Sequence, residues 1–103
     1  MEVYNVEVSL TTDPKVRRKG LLGLGSVVVG DAEHKLKINK IQIRESLGGR
    51  IYVSFPILKS KGRVTTIVAP ADRETRRLIA DAVLKKYAEV LRVEDLLRVL
   101  GYD

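Results

Sequence analysis

The sequence has no cysteine and no tryptophan, and only one methionine, one phenylalanine and one histidine. Without cysteine there are no disulfide staples, no thiolate metal ligands and no thiol nucleophile. A single His34 removes nearly every histidine-based triad or zinc centre. No stretch approaches the ~18 apolar residues that cross a bilayer, so no membrane span is expected. The chain opens directly on a strand-like pattern with no leader before it, which makes the cytoplasm the expected compartment. Aromatic residues are 5% of the chain, so Val, Ile and Leu must fill the core. What remains is an ordinary globular balance of 45% apolar and 31% charged residues over 103 positions, which predicts one domain over 1–103. A chain this short buries only about 60–70% of its unfolded surface, which favours pairing with a second copy.

The net charge of +6 is unevenly spread. Between Lys15 and Arg63 there are twelve basic residues against Asp31, Glu33 and Glu45. From Val64 to Asp103 seven basic residues balance seven acidic ones. The positive surplus therefore belongs to the middle of the chain and points to an anionic partner such as nucleic acid. A membrane surface fits less well, because no predicted helix pairs a basic face with large interfacial aromatics.

Tyr4, Val6, Val8 and Leu10 alternate with Asn5, Glu7 and Ser9, a half-buried strand whose inner face would include Tyr4. Thr11–Pro14 reads as a turn and Lys15–Lys19 as a basic loop. Gly20–Val29 reads as a strand, with Gly23 and Gly25 marking a bulge or a close backbone approach. Leu36, Ile38, Ile41 and Ile43 mark a third strand, and the change of parity between Ile38 and Ile41 predicts a bulge near Asn39. Ile51, Val53 and Phe55 form a fourth strand ended by Pro56. Lys59–Gly62 reads as a hairpin tip, and Arg63–Ala69 as the last strand. The period then changes. Asp72 is a helix N-cap with Glu74 in the first turn, and Ile79, Ala82, Val83, Tyr87 and Val90 share one apolar face. Asp81 and Lys85 are spaced as a favourable pair. A short second helix is expected over Val93–Leu100, stopped by Gly101. The expected fold is thus α+β, an antiparallel sheet of about five strands within 2–69 followed by helices at about 72–91 and 93–100.

Few motifs carry chemistry. Gly20–Ser26 is glycine-rich but lacks the lysine and the following helix of a phosphate loop. Gly49–Phe55 resembles the strand motif of RNA-recognition domains, but no helix is read between the first two strands, and Tyr52 and Phe55 fall on opposite faces. His34 reads as a surface residue in a charged turn. Glu94 and Asp95 lie on a helix that reads as structural. No catalytic set, metal site or cofactor motif is expected, and the chain reads as non-enzymatic. The basic residues fall into three places: Lys15, Arg17, Arg18 and Lys19; Lys59, Lys61 and Arg63; and Arg73, Arg76 and Arg77 at the helix start. Guanidinium groups beside the free N–H groups of a helix start suit phosphate. At 100° per residue Arg76 shares the face of Ile79, Val83 and Tyr87, so it must snorkel or meet a specific partner.

The ordered set Ile67-Val68-Ala69-Pro70, Thr75-Arg76 and Asp81-Ala82-Val83-Leu84 with Tyr87 resembles the stage V sporulation protein G (SpoVG) family of septation proteins. Met1-Glu2-Val3, Gly25–Asp31, Ile41-Gln42-Ile43 and Tyr52–Pro56 resemble that family's other strands, so the likeness runs over roughly 1–88. Ala69 stands where the family usually has His, and the tip Lys59–Arg63 is more basic than the family's. The resemblance implies an antiparallel sheet with a C-terminal helix, a homodimer and a cytoplasmic role in septation, sporulation or gene regulation through DNA or RNA. It also implies that Arg76, with its neighbours Arg73 and Arg77, contacts nucleic acid. The alternative it leaves open is a protein-interaction module of the division machinery, docking through Leu96–Leu100.

Overall fold

A computed structural model describes residues 2–60, 63–66, 70 and 72–101. Four strands, β1 (Glu2–Leu10), β2 (Leu21–Gly30), β3 (Lys35–Glu45) and β4 (Ile51–Ser54), form an antiparallel sheet in chain order. A separate two-stranded ribbon follows, β5 (Ile57–Ser60) with β6 (Arg63–Thr66). A five-residue helix α1 (Pro14–Arg18) joins β1 to β2, and the long helix α2 (Arg73–Val99) lies across one face of the sheet against β1, β2 and β4. The α+β class and the C-terminal helix match the sequence reading.

The inner face of the sheet carries Leu22, Val27, Val29, Ile38, Ile41 and Ile43 against Ile79, Val83 and Tyr87 of α2, with Phe55 closing the β4 side. Fully burying one such side chain contributes about 1.5–3 kcal/mol. The helix face predicted from spacing is therefore the one that packs. Gly25 leaves room for the helix: a Cβ there would stand 3.3 Å from Val83 Cγ1, so a larger residue would require Val83 to shift by a few tenths of an ångström. At Gly23 a Cβ would meet the Ser9 carbonyl oxygen at 2.9 Å.

Three irregularities set which side chains face the core. Gly25 pairs with Ile41 and Val27 with Ile38, so Asn39 and Lys40 together oppose Ser26. This is the bulge expected near Asn39, with Lys40 at φ 59°, and it lets Ile38 and Ile41 face inward despite their odd spacing. A second bulge lies at Leu22. A third lies at Tyr4, between the Val3–Val29 and Asn5–Val28 pairs, and it overturns the expectation for that residue. Val3 takes the inner position and Tyr4 turns outward, 42% exposed, with Lys35 Nζ 4.8 Å from its ring centroid.

Other expectations need correction. Lys15–Lys19 is not a plain loop. Asp13 caps α1 by accepting from the Lys15 backbone N–H at 2.9 Å, and Pro14 occupies its first turn. Residues 57–60, expected in part as a hairpin tip, form a strand paired with 63–66, while 61–62 and 67–69 of the expected tip and last strand lie outside the described residues. The two expected helices are one. Between Val90 and Val93 there is no glycine or proline to break α2, and Glu94 and Asp95 pair with Arg98 along the continuing helix at 3.6 and 3.8 Å. Lys86 pairs with Glu89 at 3.9 Å, while no Asp81–Lys85 pair forms. Gly101, at φ 83°, ends the helix as expected.

Asp72 holds the start of α2. Its carboxylate accepts from the Thr75 backbone N–H at 2.7 Å and from the Thr75 hydroxyl at 2.9 Å. Those bonds, the backbone one first, hold the Asp72 carboxyl below the usual carboxylate range. A depressed folded-state pKa stabilises above the unfolded value of about 3.9, and the contribution is lost as pH falls through the lower folded value. Asp72→Ala should therefore lower Tm at neutral pH, and the gap to the native chain should narrow as pH falls below about 4. A gap that stays constant in a thermal-melt series carried from neutral pH into acid would show that the cap does not act through its charge.

Candidate nucleic-acid interface

The short helix α1 projects its basic residues at the end of the sheet where β2 begins and β3 ends. The Glu45 backbone N–H donates to the Gly20 carbonyl at 2.8 Å, which ties the two chain segments together. Arg44, on β3, donates to the Lys19 carbonyl at 3.0 Å through Nη2 and to Gln42 Oε1 at 3.0 Å through Nη1. Arg17 donates to the Thr11 carbonyl at 3.3 Å. These anchors fix two guanidinium groups while leaving N–H donors on each for a ligand. The result is an open cleft of about 510 Å³ walled by Arg17, Arg18, Lys19, Arg44, Glu45 and Tyr52. Tyr52 pairs with Arg44 across β3–β4 and stands on the face of the sheet away from α2. Burial raises the pKa of the Tyr87 hydroxyl, while the charge of Arg17 opposes the rise and that of Glu45 adds to it.

Arg73, Arg76 and Arg77 occupy the first turn and a half of α2, all exposed. The Arg76 guanidinium carbon lies 5.4 Å from the centroid of the buried Phe55 ring. This resolves the wheel argument: Arg76 does share the apolar face, and it snorkels over an aromatic at the edge of the core with its charged end in water. Tyr52 and Phe55 are three residues apart, which in extended chain is about 10 Å. The edge strand β4 thus lies between the α1 cleft and the α2 arginines.

Of the expected site residues, Arg17, Arg18 and Lys19 line the cleft, and Arg73, Arg76 and Arg77 cluster at the α2 start. Lys15 is exposed on α1 but does not line the cleft. Lys59 and Arg63 fall on β5 and β6, one register step apart around the ribbon end, and Lys61 lies outside the described residues. The sequence reading missed Arg44, and it weighed Tyr52 only as part of a motif. The signal for both was the outward parity of Gln42 and Arg44 on β3 and of Tyr52 on β4. Among the described residues, none of the cleft or helix-start cations is paired with a carboxylate. His34 is exposed and sits 3.7 Å from Asp31 in its turn. No group of three acidic or histidine side chains is placed to hold a metal among the described residues. No described helix is long and apolar enough to cross a membrane.

The arrangement has counterparts among known proteins. The sequence profile of the SpoVG family matches residues 1–89. "Putative septation protein SpoVG" of Phytoplasma australiense is 35% identical over 91 residues, covering 82% of this chain and 91% of that protein. Proteins of the same name from Onion yellows phytoplasma (strain OY-M) and Aster yellows witches'-broom phytoplasma (strain AYWB) are each 34% identical over 85 residues, covering 78% of this chain and 82% of theirs. The match reaches from β1 through Glu89 of α2 and takes in both basic groups described above, so the chain belongs to the SpoVG family.

Proposed function

We propose that this chain is a non-enzymatic, cytoplasmic regulator that binds DNA or RNA as a homodimer, in a role connected with septation and sporulation. The septation part is supported by the name its relatives carry. The binding part is carried by one observation: seven arginines and lysines at the α1 cleft and the α2 start, with no carboxylate partner among the described residues, flank a single edge strand. Such a surface neutralises phosphates and releases counterions. Arg73, Arg76 and Arg77 supply fork-shaped donors beside the helix's free N–H groups. Lys15, Arg17, Arg18 and Lys19, with Lys59, Lys61 and Arg63, supply the further phosphate contacts of this reading. The test is an NMR titration of the labelled protein with a mixed-sequence oligonucleotide. Amide shifts concentrated at 15–20, 44–52 and 72–78 are expected. Shifts confined to the end of α2 would contradict the assignment.

A second observation bears on assembly. Beyond Leu91 the helix leaves the sheet with Val93 and Leu96 each 57% exposed and Leu100 59% exposed. A groove of about 440 Å³ there is lined by Lys86, Glu89, Val90, Val93, Glu94 and Leu97. We assign it to a second copy of the chain. An antiparallel pairing about a two-fold axis at Val90 sets Lys86 of each copy against Glu94 of the other, as a self-complementary interface requires. Val93→Asp with Leu97→Asp should convert a dimer to a monomer in sedimentation velocity. A native chain that sediments as a monomer would instead leave this face to a partner of the division machinery.

A further inference from the structure

The α1 cleft has a feature that phosphate binding alone does not use. Tyr52 is 41% exposed in the middle of a strand, its ring forming one wall of a cleft whose other walls carry Arg17, Arg18, Lys19 and Arg44. A surface made only for backbone phosphates needs charge and no flat ring. Tyr52 stands directly across from Arg44, whose guanidinium two hydrogen bonds hold still, so ring and fixed charge line the same cleft. At about 510 Å³ the cleft falls within the roughly 300–1,000 Å³ range of small-ligand sites. It is open at the β3–β4 turn, where Leu47 is fully exposed.

We propose that this cleft is a single-nucleotide subsite for unpaired nucleic acid, in which a base stacks on Tyr52 and its flanking phosphate lies on Arg17, Arg18 and Arg44. Stacking on a tyrosine needs a base whose face is free. In a duplex both faces are covered by neighbouring pairs, whereas an unpaired base can be splayed out. The glutamate on the rim, Glu45, adds a test of polarity: a carboxylate there accepts from exocyclic amino or ribose hydroxyl groups and repels a second phosphate, so it favours one nucleotide over a stretch of backbone. The subsite would thus tip a surface otherwise indifferent to strandedness toward single strands. The inference deepens the nucleic-acid reading above and rests on it.

Tyr52→Ala separates the two. Anisotropy titrations would compare a single-stranded oligonucleotide with its duplex for the native chain, Tyr52→Ala and Tyr52→Phe. Loss of one base–aromatic stack should weaken single-strand binding about tenfold. Duplex affinity should stay unchanged, and Tyr52→Phe should restore the single-strand value. A 2-aminopurine base placed in the oligonucleotide should be quenched by the native chain and by Tyr52→Phe, but not by Tyr52→Ala. Far-ultraviolet circular dichroism of each variant should match the native chain, since the ring is half outside the fold. If the native chain binds and Tyr52→Ala weakens both strands equally or neither, the subsite is wrong while nucleic-acid binding stands. If the native chain binds neither strand, the broader reading fails first. Displacement of the oligonucleotide by an equimolar mononucleotide would overturn the assignment to a strand.

Discussion

Arg73→Glu combined with Arg77→Glu should lower affinity for nucleic acid by about 10- to 100-fold at ~100 mM salt and flatten the slope of log affinity on log salt by about two per chain. Each arginine that neutralises a phosphate contributes about −0.9 to that slope for duplex DNA, and reversing the sign adds repulsion to the lost contact. The substitutions should leave the fold intact for two reasons. Both side chains are exposed and unpaired among the described residues. Glutamate in the first turn is also favoured by the helix dipole, as Glu74 already is at the same end. The checks are an anisotropy titration at several salt concentrations and a thermal melt. An unchanged affinity with an unchanged Tm would remove the α2 start from the interface. Arg76 is left out of the pair because it lies over Phe55, so its loss would mix a packing effect with a binding one.

Ile41→Ala should be the most damaging of the simple truncations, costing about 2–5 kcal/mol. Ile41 is fully buried and sits one step beyond the β3 bulge, opposite Gly25, which itself packs near Val83 of α2. The sheet and the helix close on each other there, so neighbouring groups have little freedom to fill the cavity. Against a typical total of 5–15 kcal/mol for a domain, the loss should appear as a clearly lower urea midpoint with an unchanged denaturant slope. Leu47→Ala, at a fully exposed position of the β3–β4 turn, should stay within about 0.5 kcal/mol of the native chain. Equal effects at the two positions would contradict the placement of the core.

The features legible in the sequence were those with strong local periodicity. Ile79, Val83 and Tyr87 recur at helical spacing over a long segment, and they are the three residues of α2 that are buried. The parity break between Ile38 and Ile41 located a bulge without any structure, because only an extra residue can keep both inside. The same logic failed at Tyr4, where the strand pattern looks unbroken. The bulge there is decided by pairing with β2 and by the claim of Val3 on the inner face. β5 is four residues long and directly follows Pro56, too short for a period of two to show. The break expected before Val93 has no counterpart: no glycine or proline interrupts the helix there, and Glu94 and Asp95 continue it as partners for Arg98 three and four residues on.

The site was half legible for a similar reason. Arg73, Arg76 and Arg77 announce themselves through the Asp72 cap, and the basic run at 15–19 through composition. Arg44 and Tyr52 do not. They meet only because β3 and β4 pair in a register that sets one directly across from the other, and the cleft exists only because the Gly20 carbonyl and the Glu45 N–H lock α1 against the end of β3. Contacts between segments 25 residues apart, such as Arg44 with the Lys19 carbonyl, leave no mark in a local pattern.

The most direct test of the account is the salt dependence of binding by the native protein. Fluorescence anisotropy with single- and double-stranded DNA and RNA, from about 50 to 200 mM salt, should give micromolar or tighter binding whose affinity falls steeply as salt rises, with single strands preferred. No binding at the lowest salt, or an affinity indifferent to salt, would contradict it.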